Sequence, residues 1–379
     1  MSAASQQGPP RRGRKVRVAF RRNRSQPARK KNWTSQAQDS DASEHDAAAV
    51  ERVVPKGELS RHRTVIEGAE SSTDETLRAG VVVAMRGLFA DVDDGVRLWP
   101  CTIRRVLRTR QTDERHAVTI GDHVRFRAEP IAEGIEAEGV IESVEPRRGR
   151  LRRRVGRRIQ TIAANVDQAI VVGSLNDPPF KPHLVDRYIV AALAGRIVPV
   201  VCLNKIDLGP RDEGEEVLRR YAALGYATFA TSARTGEGID ALRSALRSKA
   251  SVVAGQSGVG KSSLLNAVQP DLRLKVASVS GQTRKGRHTT STAHLIRLEV
   301  GGYVVDTPGI RSLDLSPVSR NEFEACFVEF TPHIPNCKFP DCTHTHEAAC
   351  AVKDAVERGE IHPERYASYV RMFEDPGEA

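Results

Sequence analysis

The chain has 379 residues, with 58 Lys and Arg against 48 Asp and Glu and a formal charge of +10. That length and a 39% hydrophobic share imply two to three domains with substantial cores, while no run of about 18 apolar residues offers a membrane span and the N-terminal MSAASQQGPPRRGRK lacks the apolar stretch of a secretion signal. Six cysteines are too few for a disulfide scaffold of this size, and three of them, Cys337, Cys342 and Cys350, fall within 14 residues, which suggests a metal site and a cytoplasmic location.

The charge has two addresses. Residues 1–38 carry 11 basic and no acidic residues, which leaves 47 basic against 48 acidic for the rest. Residues 1–76, rich in Gln, Ser, Arg and Pro and without hydrophobic periodicity, are predicted to form a disordered basic arm and linker. Over 77–146 five short β-rich runs, GVVVAMRG, GLFADV, RLWPCTIRRV, HVRFRAE and EAEGVIESV, alternate with turn signals such as Asp93-Asp94-Gly95. That pattern predicts an all-β barrel of OB-fold type. The second basic address follows: Arg147, Arg148, Arg150, Arg152, Arg153, Arg154, Arg157 and Arg158 read as an arginine-rich linker over 147–160, suited to a phosphate backbone.

From 161 to 315 the buried-strand patterns AIVVGS, IVPVVCLN, ATFATSA, SVVAGQ and YVVDTPG alternate with amphipathic stretches such as VDRYIVAALAG and EVLRRYAALG, predicting a three-layer α/β domain with a mostly parallel sheet. Residues 316–379 combine helical stretches with a Cys/His cluster and are expected to form a small helical, metal-binding module.

The chemistry sits at the strand ends. Gly255-Gln256-Ser257-Gly258-Val259-Gly260-Lys261-Ser262 follows an apolar strand, and Ser263 continues into the helical SSLLNAV. This is the context of a phosphate loop: backbone N–H groups surround the phosphates, Lys261 reaches their oxygens and the Ser262 hydroxyl ligates Mg²⁺. Asp306-Thr-Pro-Gly309 ends YVVD, where Asp306 can hold Mg²⁺ through water and the Gly309 N–H can sense the γ-phosphate.

Leu203-Asn204-Lys205-Ile206-Asp207 selects the base. A carboxylate at Asp207 accepts from guanine N1–H and the 2-amino group, a donor pair that adenine lacks, so GTP is favoured over ATP. The Lys205 stem can lie over the base, and Ser232-Ala233 of Thr231-Ser232-Ala233 can present a backbone N–H to guanine O6. These base-reading motifs precede the phosphate loop, the reverse of Ras-like order, so the GTPase domain is read as circularly permuted, and Asp306–Gly309 then lies next in the chain to the C-terminal module.

Between the two phosphate motifs, the polar Gly281–Thr292 segment occupies the place of a switch loop, and Thr290 or Thr289 is expected to complete the Mg²⁺ shell. Ile310 stands where Ras-like enzymes carry the glutamine that orients water. An aliphatic side chain cannot do that, and His288 is the nearest candidate to replace it. Further on, Cys337, Cys342, His344 and Cys350 supply three thiolates and an imidazole for one closed, structural Zn²⁺, with His346 as an alternative to His344.

Together GQSGVGKSS, GRHTTS, VDTPGI, LNKIDL, TSA and CKFPDCTHTHEAAC resemble the ribosome small-subunit-dependent GTPase A family (RsgA, also YjeQ) over about residues 78–373. Ser291 departs from it, since the family usually has a third Thr there. The resemblance implies a monomeric factor that binds the 30S subunit and its 16S rRNA late in assembly, hydrolyses GTP when the subunit stimulates it, and leaves, with the histidine matching His288 catalytic. A GTP-dependent RNA-binding scaffold that scarcely hydrolyses, or a GTPase acting on another structured RNA, is the competing expectation, motivated by Ile310.

Overall fold

The computed structural model describes residues 14–19, 62–67, 77–104, 107, 117–128, 139–155, 158–274, 293–306, 318 and 320–374. In the first of two units, β1 (Arg14–Ala19) pairs antiparallel with β2 (His62–Glu67), placing Arg14 opposite Glu67 and Val16 opposite Val65. Composition predicts disorder over 1–76, but these two segments are strands. Beneath the charge, Lys15-Val16-Arg17-Val18 keeps a period-2 alternation that suits a strand.

The second unit begins with the barrel: β3 (Leu77–Arg86), β4 (Phe89–Asp93), β5 (Leu98–Ile103), β6 (His123–Ala128) and β7 (Gly139–Val144). Neighbours run β3-β4-β5-β7-β6, closed by the β3–β6 pair, with β5–β7 the single parallel pairing. This is the five-stranded OB-type closure expected of these runs. Alternate residues turn inward, so Val82, Ala90, Val92, Cys101, Val124, Phe126 and Ile141 fill the interior. Gly139 is required by that filling, because a Cβ there would sit 2.9 Å from Cys101 Sγ.

The arginine run is not a linker. β8 (Arg150–Val155) and β9 (Arg158–Ala164) pair antiparallel as a hairpin. Leu151, Ala163 and Ala164 are buried and supply the apolar face that lets an arginine-rich strand pair.

The α/β domain has a six-stranded sheet in the order β12-β11-β10-β13-β15-β14. Its strands are β10 (Gln168–Ser174), β11 (Val198–Asn204), β12 (Ala227–Ala230), β13 (Lys249–Gly255), β14 (His294–Arg297) and β15 (Gly302–Asp306). All pairings are parallel except that of the edge strand β14. Alternation along the strands assigns each face its helices. Val171, Val201, Leu203 and Val252 pack with α1 (Pro182–Ala194) and α2 (Arg211–Ala223); Ile170, Val172, Val200 and Val304 pack with α3 (Ile239–Leu246) and α4 (Lys261–Val268). A sheet covered on both faces needs strands apolar throughout, and β10 is buried at every position.

The C-terminal module contains α5 (Arg320–Ala325), α6 (Ala351–Glu357) and α7 (Pro363–Glu374) around Phe323, Phe327, Phe330, Val352, Ile361 and Tyr369, with Val190 of α1 in the same core. The C-terminal helical stretch DAVERGEIHPERYASYVRMFED, which begins at Asp354, is broken at Gly359, whose φ of +76° favours glycine, and restarts at Pro363, where a missing N–H costs nothing. No helix among the described residues is long and apolar enough to cross a membrane.

Candidate nucleotide site and metal centre

The parallel register brings the predicted motifs to one edge of the sheet. Gly255 pairs with Val172, Ser174 with Asn204, and Leu203 with Ala230, so the phosphate loop, Asn204–Asp207 and Thr231–Ala233 all leave the carboxyl ends of neighbouring strands. Such an edge is where ligands bind in open α/β sheets. Asp306 ends β15, the other neighbour of β13.

The phosphate loop spans the end of β13 to the start of α4. Gly255, Gly258 and Gly260 have φ of +148°, +92° and +89°. A Cβ at Gly255 would lie 2.2 Å from the Val172 carbonyl, and one at Gly260 would lie 2.6 Å from Asn204 Nδ2, so backbone space and conformation both demand glycine. Lys261 arches back along the loop, its Nζ donating to the carbonyls of Gly255 at 2.7 Å and Gln256 at 2.9 Å. Ser262 and Ser263 follow on α4, half-buried. Gln256, Ser257 and Val259 complete the loop, and Val259 is anchored in the core below it.

Asn204 braces two loops. Its side chain is buried, Nδ2 donates to the Val259 carbonyl at 2.8 Å, and Oδ1 accepts from the Ala233 N–H at 3.2 Å and the Thr231 hydroxyl at 3.3 Å. The residue that sequence reading placed on the nucleotide thus ties the phosphate loop to the base-reading loop. Lys205 adopts φ +61°, and its Nζ reaches Asp177 at both the carbonyl (2.7 Å) and Oδ2 (3.1 Å).

At Asp207, Oδ1 accepts from the Ser232 hydroxyl at 2.5 Å, and Oδ2 accepts from Arg234 Nε and Nη2, each at 2.7 Å. The Ser232 hydroxyl first, and the Arg234 guanidinium after it, hold this carboxyl below the ordinary Asp range. Asp306 is half exposed, with His294 Nε2 of the facing edge-strand residue 3.4 Å from its Oδ2. Gly309, His288, Thr289 and Thr290 lie outside the described residues.

Sequence reasoning missed four neighbours of this site. The turn after β10 carries Asp177, which holds Lys205, and Pro178, which packs over the phosphate loop so that a Cβ on Gly258 would meet its ring at 3.5 Å. His294 sits on an edge strand too short to stand out, and Arg234 follows the Thr-Ser-Ala motif by one residue. The available signal was position alone: a turn at the end of the central strand of an α/β sheet faces the ligand.

The metal cluster assembles as the spacing predicts. The ligating atoms of Cys337, Cys342, His344 and Cys350 lie within 4.8 Å of one another. His344 Nδ1 is 3.6 Å from Cys337 Sγ and 3.4 Å from Cys350 Sγ. Metal bonds of about 2.3 Å to sulfur and about 2.0 Å to nitrogen at tetrahedral angles would set such pairs about 3.5 Å apart, so the donor set fits. His344 Nε2 is buried without a hydrogen-bond partner, 3.7 Å from the Glu324 carboxylate, the direction in which a ligating histidine commonly finds its orienting acid. The Tyr366 and Tyr369 hydroxyls donate to the carbonyls of His344 at 2.8 Å and Thr343 at 2.9 Å, fixing the loop. His346 is 81% exposed and bonded to Thr345, which removes it from the ligand set.

The arginine run divides. Arg147 is almost fully buried and forks onto Asp122 at 2.7 and 2.8 Å, and Arg152 Nη2 donates to the Ala194 carbonyl at 2.7 Å. These bonds tie both side chains to the fold. Arg148, Arg150 and Arg153 are exposed, and the Arg154 side chain lies outside what is described.

A family model described as RsgA GTPase matches residues 144–316. The small ribosomal subunit biogenesis GTPase RsgA of Sodalis glossinidius is 39% identical over 321 residues, covering 81% of this chain and 89% of the relative. That of Chlorobaculum parvum is 41% identical over 311 residues, covering 79% and 98%. Among solved structures, YjeQ from Thermotoga maritima matches with a TM-score of 0.64 at 35% identity, over 80% of this chain and all of that one. YloQ, described as a circularly permuted GTPase, matches with a TM-score of 0.61 at 30% identity, over 82% of this chain and all of that one.

Proposed function

The chain belongs to the RsgA GTPase family, and from that premise we propose that it is a GTP hydrolase of small ribosomal subunit biogenesis that engages the 30S subunit through 16S rRNA and leaves after hydrolysis. The observation that carries this reading is the convergence of Lys261, Asp207 and Asp306 at one edge of a permuted sheet whose chain enters from an OB-type barrel.

In this proposal the glycine loop wraps the phosphates of GTP with its N–H groups, and Lys261 leaves its two loop carbonyls to meet the β- and γ-oxygens. Ser262, Asp306 and Thr290 would hold Mg²⁺, which would supply positive charge to the phosphates. Asp207 reads guanine, the Ser232-Ala233 loop presents a backbone N–H to O6, and Asn204, bonded to the Val259 carbonyl and the Ala233 N–H, fixes the distance between base and phosphate ends. His288 positions the water. Cys337, Cys342, His344 and Cys350 hold one Zn²⁺ that secures the C-terminal module and leaves no position open for chemistry. Arg148, Arg150, Arg153 and Arg154 face rRNA phosphates from the hairpin between barrel and GTPase domain. The protein acts as a cytoplasmic monomer.

Turnover measured with and without purified 30S subunits is the test. Strong stimulation is expected, and GTP-dependent binding without stimulated turnover would replace this reading with a non-hydrolysing scaffold. Within it, His288→Ala is expected to retain GTP affinity and lose stimulation; unchanged stimulated turnover would place the water-positioning group elsewhere.

A further inference from the structure

Both oxygens of the carboxylate proposed to read guanine already have partners from this chain. Ser232, itself fully buried, holds Oδ1, and the forked guanidinium of Arg234 holds Oδ2 through Nε and Nη2 at 2.7 Å each. A guanidinium offers parallel N–H donors in one plane, and guanine offers a similar pair, N1–H and the 2-amino group, along one edge. Arg234 therefore places two N–H donors on Oδ2, an acceptor the base would also need.

The two partners differ in how easily they yield. Ser232 also accepts the Thr235 N–H at 3.1 Å and lies in a loop braced by Asn204, whereas the Arg234 side chain is 72% exposed and its removal from the carboxylate opens onto water. An incoming base can displace the second but not the first.

We propose that Arg234 is an internal stand-in for guanine: it competes with the base for Asp207 Oδ2 and thereby lowers the affinity of the site for guanine nucleotides. It acts through Asp207 and is a positioning residue. The inference rests on the reading of Asp207 as the guanine acceptor. It also fixes a sign. A residue that lies against the bound base and supports it would weaken binding when removed, while a competitor strengthens binding when removed.

The experiment measures GDP affinity for the full chain, Arg234→Ala and Arg234→Lys by fluorescence titration at low and high salt. The exposed position of the pair sets the size, and both variants are expected to bind GDP about two- to five-fold more tightly than the parent at low ionic strength. Arg234→Lys keeps the charge but loses the planar pair of donors, so a gain there isolates the fork from any change in attraction for the phosphates. The gain should shrink toward about 1 M salt, where the pair is screened; a purely structural role would not produce that convergence. Variants that bind GDP no more tightly than the parent at low salt overturn the proposal. Asp207→Asn tests the underlying reading separately: it is expected to shift preference from GDP to the xanthine nucleotide, and an unchanged preference for GDP would remove the premise whatever the Arg234 variants do.

Discussion

The α/β domain is joined to a neighbour on each side, and the two joints are built from different chemistry. On the C-terminal side Arg365 of α7 is buried, donating to Asp186 of α1 at 2.6 Å and to Glu329 at 2.7 and 3.3 Å, with its guanidinium 4.5 Å from the centre of the Phe327 ring. Burial opposes its charge, but Asp186 and Glu329 outweigh that and hold its pKa above the ordinary arginine value. On the barrel side Asp93 accepts from the Tyr303 hydroxyl at 2.9 Å and from Arg297 at 3.4 Å, and Arg297, half exposed, also donates to the Gly95 carbonyl at 2.8 Å. The first joint is dry and shares an apolar core with Val190. The second sets these polar bonds beside apolar packing, since Val83 and Ile120 on the barrel side share a buried core with Leu295 and Val305 of the sheet. It grips β14 and β15, and β15 ends in Asp306. The C-terminal module is thus tied to α1 by a buried ion pair, while the barrel meets β14 and β15 through both apolar packing and the Asp93 bonds.

The largest expected effect removes the C-terminal side of this comparison. Cys350→Ser takes one of four metal donors, and since structural zinc contributes roughly 10–16 kcal/mol to folding in small modules, the module should lose its fold while GDP binding persists. Metal analysis should give well under one zinc per chain, with loss of helical circular dichroism; retention of a full equivalent would rule out the proposed ligand set. Next in size, Arg365→Ala leaves Asp186 and Glu329 buried without their cation, with an expected loss of about 3–5 kcal/mol in denaturant unfolding. A loss below about 1 kcal/mol would mean that water reaches this ion pair as it does an exposed one.

These joints show where the sequence is legible. The glycine loop, the Asn204–Asp207 motif, the strand patterns and the Cys/His spacing are local signals, and each element or cluster forms where its residues predict. Arg365 and Asp93 carry no local signal, because their partners lie 179 and 210 positions away, at Asp186 and Tyr303. Only the folded topology brings them together. The arginine run failed differently. Its charge suggested a solvated linker, but Leu151 and the alanines of β9 supply enough apolar surface for a hairpin, and Arg147 is neutralised by an aspartate 25 residues upstream. The motif predicts Asn204 as a nucleotide ligand, and only the positions of Val259 and Ala233 show that its side chain also braces two loops.

On the barrel side, Tyr303→Phe deletes one hydrogen bond and little volume. It is expected to cost about 0.5–1.5 kcal/mol of stability, at most about half of the Arg365 effect. Its value lies in a second readout. If the barrel influences β15 through Asp93, 30S-stimulated turnover should fall more than intrinsic turnover. Equal changes in both would show that the barrel only anchors the domain.

The smallest effect sharpens the contrast within a single joint. At the rim of the C-terminal interface, Arg220 of α2 reaches Glu364 of α7 at 2.8 Å, with side chains 37% and 53% exposed. The pair is close in length to the buried Arg365–Asp186 bond at 2.6 Å and carries the same charges, so exposure to solvent is the main difference between them. In a high dielectric, Coulomb attraction is largely offset by hydration and by the side-chain entropy of holding the pair, and exposed pairs contribute about 0.2–1 kcal/mol. Arg220→Gln should therefore lower stability by less than about 1 kcal/mol, and the difference should vanish near about 1 M salt, whereas the Arg365→Ala loss should persist there because salt does not enter a dry interface. Unfolding curves at two ionic strengths distinguish the outcomes. A loss on Arg220→Gln that is both large and insensitive to salt would mean that the rim is desolvated too, and the C-terminal joint would then be buried across its whole width.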